Sequence, residues 1–359
     1  MTATTPADAT VSLDERLLAS TIGTLELFGV YLGDRLGLYE TLRCRGRSTA
    51  AELAGGAGIN ARYAREWLEQ QAVAGVLTVD DASADAASRR YALPEAHVGV
   101  VLDPVALDHL APLARLAVGI ASVLDDVVEA YRTGTGVPYS RYGAEFRAGQ
   151  GAINRPVFTS ALVEEWLPAL GAPAERLTRG GRLADLGCGV GWSAMAVARA
   201  YPNAEVLGAD SDAASIAAAR ATAAEHGVAV RFECADAAAL GRDAPFDVVL
   251  LLEALHDLAR PVEVLAAARA ALASDGAVLV ADEAVAPAFT APGDELERMM
   301  YGWSITHCLP AAMAEQPSAA IGTVIREDTV RTLAQQAGFG RVEVLDVDGG
   351  FFRLYALWP

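Results

Sequence analysis

The chain has 359 residues, 53% hydrophobic and 21% charged, a globular composition with room for about two domains of the usual ~100 to 200 residues. Its 46 acidic against 28 basic side chains leave a net charge of −18, which repels polyanions and argues against nucleic acid as a partner. The longest apolar stretch, 106–131, is interrupted by Asp108, His109, Arg115 and Asp125, and residues 1–10 contain no basic residue and no apolar run. Neither a membrane span nor a targeting segment is therefore expected, and the protein is expected in the cytoplasm.

After a polar, frayed start, Ser12-Leu13-Asp14-Glu15 matches a capping box, and helical periodicity from Leu17 to Tyr39 predicts a first long helix. Thr49-Ala50-Ala51-Glu52 opens a short second helix that ends in the Gly-rich run 54–58, and Asn60 caps a third over 61–74. Val76–Val79 and Arg90–Leu93 predict a hairpin, giving helix, helix, helix, wing: a winged-helix domain over residues 11–103. Residues 104–178 read as a helical bridging and substrate-capping segment, broken by 134–138 and by Gly149-Gln150-Gly151.

From residue 179 onward short apolar runs alternate with Ala-rich helices. Strands are expected at Leu183–Leu186, Glu205–Ala209, Val228–Cys234, Phe246–Leu252 and Ala277–Asp282. An insertion at about 285–323 follows, then a helix over 328–337 and two strands, 341–346 and 352–357, joined by the Asp348-Gly349-Gly350 turn. The expected fold is α/β: a Rossmann-like, doubly wound, mostly parallel seven-stranded sheet with an antiparallel last strand, behind the winged-helix domain. No metal is expected, since Cys44, Cys188, Cys234 and Cys308 lie far apart with no C-x-x-C pair; they read as reduced thiols, without zinc or a disulfide framework.

In Asp185-Leu186-Gly187-Cys188-Gly189-Val190-Gly191 a strand runs straight into glycines that precede a helix, a turn in which backbone can approach a ligand closely. The next strand ends at Asp210-Ser211, about 20 residues beyond the turn, where a carboxylate can accept from ribose hydroxyls; the one after ends at Asp236-Ala237. A dinucleotide site is the competing reading, but its usual G-x-G-x-x-G places the third glycine one position later. These residues resemble the motifs of class I S-adenosylmethionine-dependent methyltransferases. The resemblance implies S-adenosylmethionine as cofactor, S-adenosylhomocysteine as product, and cofactor contacts from Asp185, Gly187, Cys188, Gly189, Gly191, Asp210, Ser211, Asp236, Ala237 and Glu253. Within that set Asp210 is expected at the ribose and Asp236 at the adenine.

The fourth strand delivers Glu253-Ala254-Leu255-His256-Asp257 to the same edge, and an imidazole there can take a proton from a hydroxyl or amine during attack on the sulfonium methyl. Leu255-His256-Asp257 resembles the L-H-D-W-x-D stretch of plant-type small-molecule O-methyltransferases and their actinobacterial relatives. That resemblance implies His256 as general base, Asp282-Glu283 as a loose counterpart of its orienting carboxylates, a homodimer through the winged-helix region, and an aromatic or polyketide-like acceptor. Leu258-Ala259 departs from the W-x-D continuation, and a structural histidine capping the strand-helix loop is the other reading of His256. Met299, Tyr301, Trp303 and His307 in the insertion, with Tyr139, Tyr142 and Arg155 in the bridge, are candidates for the acceptor pocket; an aromatic stripe at helical spacing is equally a core feature. A SAM-binding protein with a non-methylating reaction or a regulatory, DNA-binding role remains the alternative, although Glu66 and Glu69 offset Arg62 and Arg65 on the third helix.

Overall fold

The computed structural model describes residues 11–243 and 245–359, so the polar start expected at 1–10 lies outside the described residues. The chain forms two compact units: residues 11–119 with Ala148–Pro156, and Ile120–Arg147 with Val157–Pro359. Among the described residues no helix is long and apolar enough to cross a membrane.

In the first unit helices Leu13–Arg35, Leu38–Arg45, Ala50–Ala57 and Ala61–Val73 precede a two-stranded antiparallel wing, β1 (Thr78–Val79) and β2 (Tyr91–Ala92). The Ser12 and Thr49 capping boxes and the Asn60 cap form as their side chains dictate. The first helix ends at Arg35 rather than at Tyr39, because Gly37 takes φ 62° and turns the chain. That turn drives Leu38, Tyr39 and Leu42 into a core with Leu53, Leu68 and Tyr91. Trp67 Nε1 donates to Gly29 O at 2.9 Å, and the Tyr39 hydroxyl donates to Gln71 Oε1 at 2.5 Å. On the fourth helix, Ala61–Val73, Arg62 pairs with Glu66, and Glu69 is engaged by Arg89 at 3.0 Å.

The second unit holds the seven-stranded sheet: β3 (Arg182–Leu186), β4 (Glu205–Asp210), β5 (Arg231–Cys234), β6 (Phe246–Leu252), β7 (Leu272–Glu283), β8 (Arg341–Val344) and β9 (Phe352–Trp358). Its order is β5-β4-β3-β6-β7-β9-β8, parallel from β5 to β7, with β9 antiparallel to β7 and to β8. β6 is apolar throughout, except for Asp247, because both faces are covered: Val248, Leu250 and Leu252 enter one core cluster, while Phe246, Val249 and Leu251 enter the other. β5 is shorter than expected, since 228–230 stay outside the ladder, whereas β7 is longer and begins at Leu272. Asp348 Oδ1 accepts from Gly350 N at 2.9 Å and closes the turn before β9.

The break expected at Gly149-Gln150-Gly151 does not occur; one helix runs from Gly143 to Thr159. Gly149 serves close packing there instead of a turn. A Cβ at that position would meet Arg115 Cβ and Pro112 O at 3.0 Å, both from the helix Pro112–Ala121. Gly149→Val is therefore expected to destabilise the protein by about 1–3 kcal/mol, the cost of overpacking a close helix contact. Urea denaturation followed by circular dichroism checks this, and an unchanged midpoint would show that the two helices do not need the glycine.

Candidate active site

The parallel register brings the carboxyl ends of β3, β4, β5 and β6 to one edge. At the first of these ends the turn is built from glycines with positive φ, 74° at Gly187, 52° at Gly189 and 85° at Gly191. A Cβ on Gly191 would meet the Phe232 ring at 2.7 Å, and one on Gly187 would meet Ala254 Cβ at 2.9 Å, so neighbouring strands also require these residues to be small. Gly187 N and Cys188 N both donate to Ala209 O, at 2.8 and 3.1 Å.

Asp210, at the end of β4, clasps this turn: its Oδ2 accepts from Gly189 N at 2.9 Å and its Oδ1 from Asp212 N at 2.8 Å. Burial raises its pKa. Asp185 is buried and accepts from Ser193 Oγ at 2.5 Å, and burial pushes its carboxyl up to about 7. Cys188 is buried, with its thiol pKa raised by that burial, while Ser211 is exposed. Asp236 is engaged by the protein itself. Its Oδ1 accepts from Ala238 N at 2.9 Å, beside Ala237, and its Oδ2 accepts from Arg260 at 2.8 Å. Glu253, just past β6, takes φ 50°, a conformation that costs a non-glycine residue and recurs at functional sites.

His256 follows in the short turn Leu255–Asp257 and is only 3% exposed. Its Nδ1 lies 2.5 Å from Asp282 Oδ1 and 3.5 Å from Glu283 Oε2, both at the end of β7, and its Nε2 lies 3.4 Å from Asp257 Oδ1. The carboxylates only loosely suggested by Asp282-Glu283 are thus in direct contact with the imidazole. Burial opposes the imidazolium, but Glu283, Asp257 and Asp282 outweigh it and hold the pKa of His256 well above the ordinary value. Burial raises Glu283 to about 8.

His307 lies in the insertion, in the turn Ser304–Cys308 after the helix Glu295–Trp303. The rings of Phe146, Tyr142 and Tyr139 pack on it with centroids 4.2, 4.6 and 5.8 Å away. Tyr142 also donates to Thr306 O at 2.9 Å. Burial pushes His307 down to about 4, the reverse of His256. Burial likewise raises the pKa of Tyr139, with further contributions from the charges of Asp210, Asp212 and Asp257.

Met299 is 37% exposed and Trp303 half-buried, because the helix phase turns Met300 and Glu297 inward instead. Tyr301 packs on Phe289, not on His307. Arg155 belongs to the other compact unit. No motif marks Phe146, and the Arg147–Asp212 ion pair at 2.7 Å carries no sequence signal because Asp212 reads as an ordinary helix cap. Ser193 and Cys308 were equally invisible to spacing. Among the described residues, buried Asp257 Oδ1, Asp282 Oδ2, Glu283 Oε2 and His307 Nε2 have no hydrogen-bond partner.

Comparison with known proteins agrees with this layout. Residues 183–276 match the family described as "Methyltransferase domain", and residues 24–102 match the Rv2258c-like winged HTH domain. The ubiquinone biosynthesis O-methyltransferase of Roseobacter denitrificans is 36% identical over 99 residues, a match that spans 27% of this chain and 39% of that relative. Among solved structures, human N-acetylserotonin methyltransferase in complex with SAM superposes with a TM-score of 0.69 at 16% identity, over 98% of this chain and 99% of its own. The mitomycin 7-O-methyltransferase does so with a TM-score of 0.65 at 20% identity, over 96% and 97%. The chain carries a methyltransferase domain behind a winged HTH domain, on a fold shared with these enzymes.

The opposite environments of the two histidines can be measured directly. In an NMR titration His256 is expected to stay protonated above pH 6.5, whereas His307 stays neutral until the pH falls to about 4. Reversed assignments, made with His256→Ala and His307→Ala, would contradict the arrangement of carboxylates around His256.

Proposed function

On a chain that pairs a methyltransferase domain with a winged HTH domain, we propose transfer of a methyl group from S-adenosylmethionine to an oxygen nucleophile of an aromatic or polyketide-like small molecule. One observation carries the reading: His256 is clamped by Asp282 at the same sheet edge as the Asp185–Gly191 turn. The residues fit the cofactor. The glycine turn leaves room for a ligand's close approach, and Asp210, already oriented by Gly189 N and Asp212 N, suits hydroxyl donors of a ribose. Asp236 reaches an adenine amino group once its pairing with Arg260 shifts, and Ser211, Ala237, Cys188 and Glu253 flank the same edge.

When bound, the cofactor supplies a sulfonium methyl for in-line displacement. The chain's own residues position the acceptor and move its proton. The Asp282 carboxylate fixes the His256 ring through Nδ1, so that Nε2 is the nitrogen available to the acceptor's proton, and the surrounding carboxylates stabilise the imidazolium that results. Tyr139, the half-buried ring of the group around His307, suits a planar acceptor, with the buried Tyr142 and Phe146 packed behind it.

Calorimetry is expected to show binding of S-adenosylmethionine and S-adenosylhomocysteine but not of NAD. His256→Ala is expected to keep that affinity while kcat falls about 100-fold to 10,000-fold. Because His256 is a base only when neutral, and its pKa is raised, the wild-type rate rises with pH through an inflection above 6.5 that the variant loses. A fully active His256→Ala enzyme on its true acceptor, or turnover lost only in His307→Ala, would remove His256 from this role.

We propose also that the winged-helix region pairs with a second copy of the chain. Leu18, Ile22, Leu25 and Leu32, at spacings of four, three and seven residues along the first helix, form a stripe continued by Leu36 at its C-cap, and all are at least 45% exposed. Light scattering is expected to report a dimer that Leu18→Glu with Leu25→Glu converts to monomer. A wild-type monomer would refute the pairing.

A further inference from the structure

We propose that His256 Nε2, Asp257 Oδ1 and the Cys308 sulfur form a binding site for a divalent cation of the zinc class. The three ligand atoms all lie within 4.8 Å of one another, although Cys308 comes from the insertion and the other two from the turn after β6. Nitrogen and oxygen are 3.4 Å apart without a hydrogen bond between them. That separation is close to the ~3.3 Å edge of a tetrahedron with ~2.0 Å zinc bonds. Asp257 Oδ1 is buried with no hydrogen-bond partner among the described residues, an unmet acceptor that a cation would satisfy.

The donor set selects the metal. Imidazole, carboxylate and a thiol together favour zinc over magnesium or calcium, which take oxygen ligands. The far side of the ring supports the same reading: Asp282 Oδ1 holds Nδ1 at 2.5 Å, the carboxylate–histidine arrangement that fixes the tautomer and raises the basicity of a metal-binding nitrogen. A cation placed instead among Nδ1, Asp282 and Glu283 would have to break that bond. With three protein ligands, one tetrahedral position is left for water.

On binding, the Cys308 S–H bond and any N–H at Nε2 break, the protons pass to solvent, and bonds from sulfur and nitrogen to the cation form. No electron is gained or lost. One consequence rests on the reaction proposed above: the ion occupies the nitrogen that would take the acceptor's proton, so it inhibits methyl transfer.

The test uses the full chain, stripped with chelator and titrated with Co2+ without any acceptor. One equivalent is expected to produce a thiolate-to-cobalt charge-transfer band that Zn2+ abolishes by displacement. Cys308→Ala and the volume-conserving Cys308→Ser are expected to lose the band while keeping the wild-type melting curve. Asp282→Asn is expected to weaken Zn2+ binding about 10- to 100-fold, as the loss of an orienting partner does. Absence of the band in the wild type overturns the site, and so does a band that survives Cys308→Ala, which would assign it to Cys44, Cys188 or Cys234. Because this readout needs no turnover, a cobalt band in a protein that methylates nothing keeps the metal site and removes the proposed reaction, and the converse result does the opposite.

Discussion

The parallel register of β3, β4, β5 and β6 is the constraint on which the site depends. Parallel strands linked through helices end at the same edge of the sheet, so Asp185, Asp210, Asp236 and His256, scattered along the chain, reach one crevice. The edge is held by small contacts as much as by strand pairing. Ala209 O accepts two N–H groups from the glycine turn, and Asp210 accepts a third, so the end of β4 shapes the loop that follows β3. Bulk at Gly191 would collide with Phe232 of β5, which ties a third strand to the same turn.

Around His256 the constraint is electrostatic. The buried carboxyls of Asp282 and Glu283 and the partly buried Asp257 surround one buried imidazole, where an unpaired charge is expensive and protons are held to reduce it. This explains why Glu283 is pushed up to about 8 while the pKa of His256 is raised well above its ordinary value. His307, a few residues from the same carboxylates in space but enclosed by three aromatic rings, gains too little attraction to offset its desolvation and stays neutral. Two chemically identical side chains are thereby given different protonation states by their neighbours.

The insertion after β7 supplies what the sheet does not. It carries His307 and Cys308, and it is anchored by Glu297, buried and paired with Arg326 at 2.6 Å. Arg326 also donates to Ala286 O, so one guanidinium links the start of the insertion, its helix and the helix Glu327–Gln336. Such an anchor keeps the insertion's polar side chains at the sheet edge, where Asp257 Oδ1, Asp282 Oδ2, Glu283 Oε2 and His307 Nε2 have no hydrogen-bond partner among the described residues.

Local chemistry was enough to determine the caps at Ser12, Thr49 and Asn60, the alternation of strands and helices, the glycine turn and the strand-end carboxylates. Each is encoded by residues adjacent in sequence: a hydroxyl three positions before a glutamate, an apolar run too short for a helix, glycines where φ must be positive. Tertiary structure alone decided the rest. Gly149 looked like a helix breaker and proved to be a packing glycine, because the backbone it must admit comes from residues 112–116. Asp236 is engaged by Arg260, and Met299 turned outward, through contacts and helix phase that no motif records. The raised pKa of His256, the lowered one of His307 and the meeting of Cys308 with His256 and Asp257 depend on distances across the fold, since electrostatics and desolvation act through space and not along the chain.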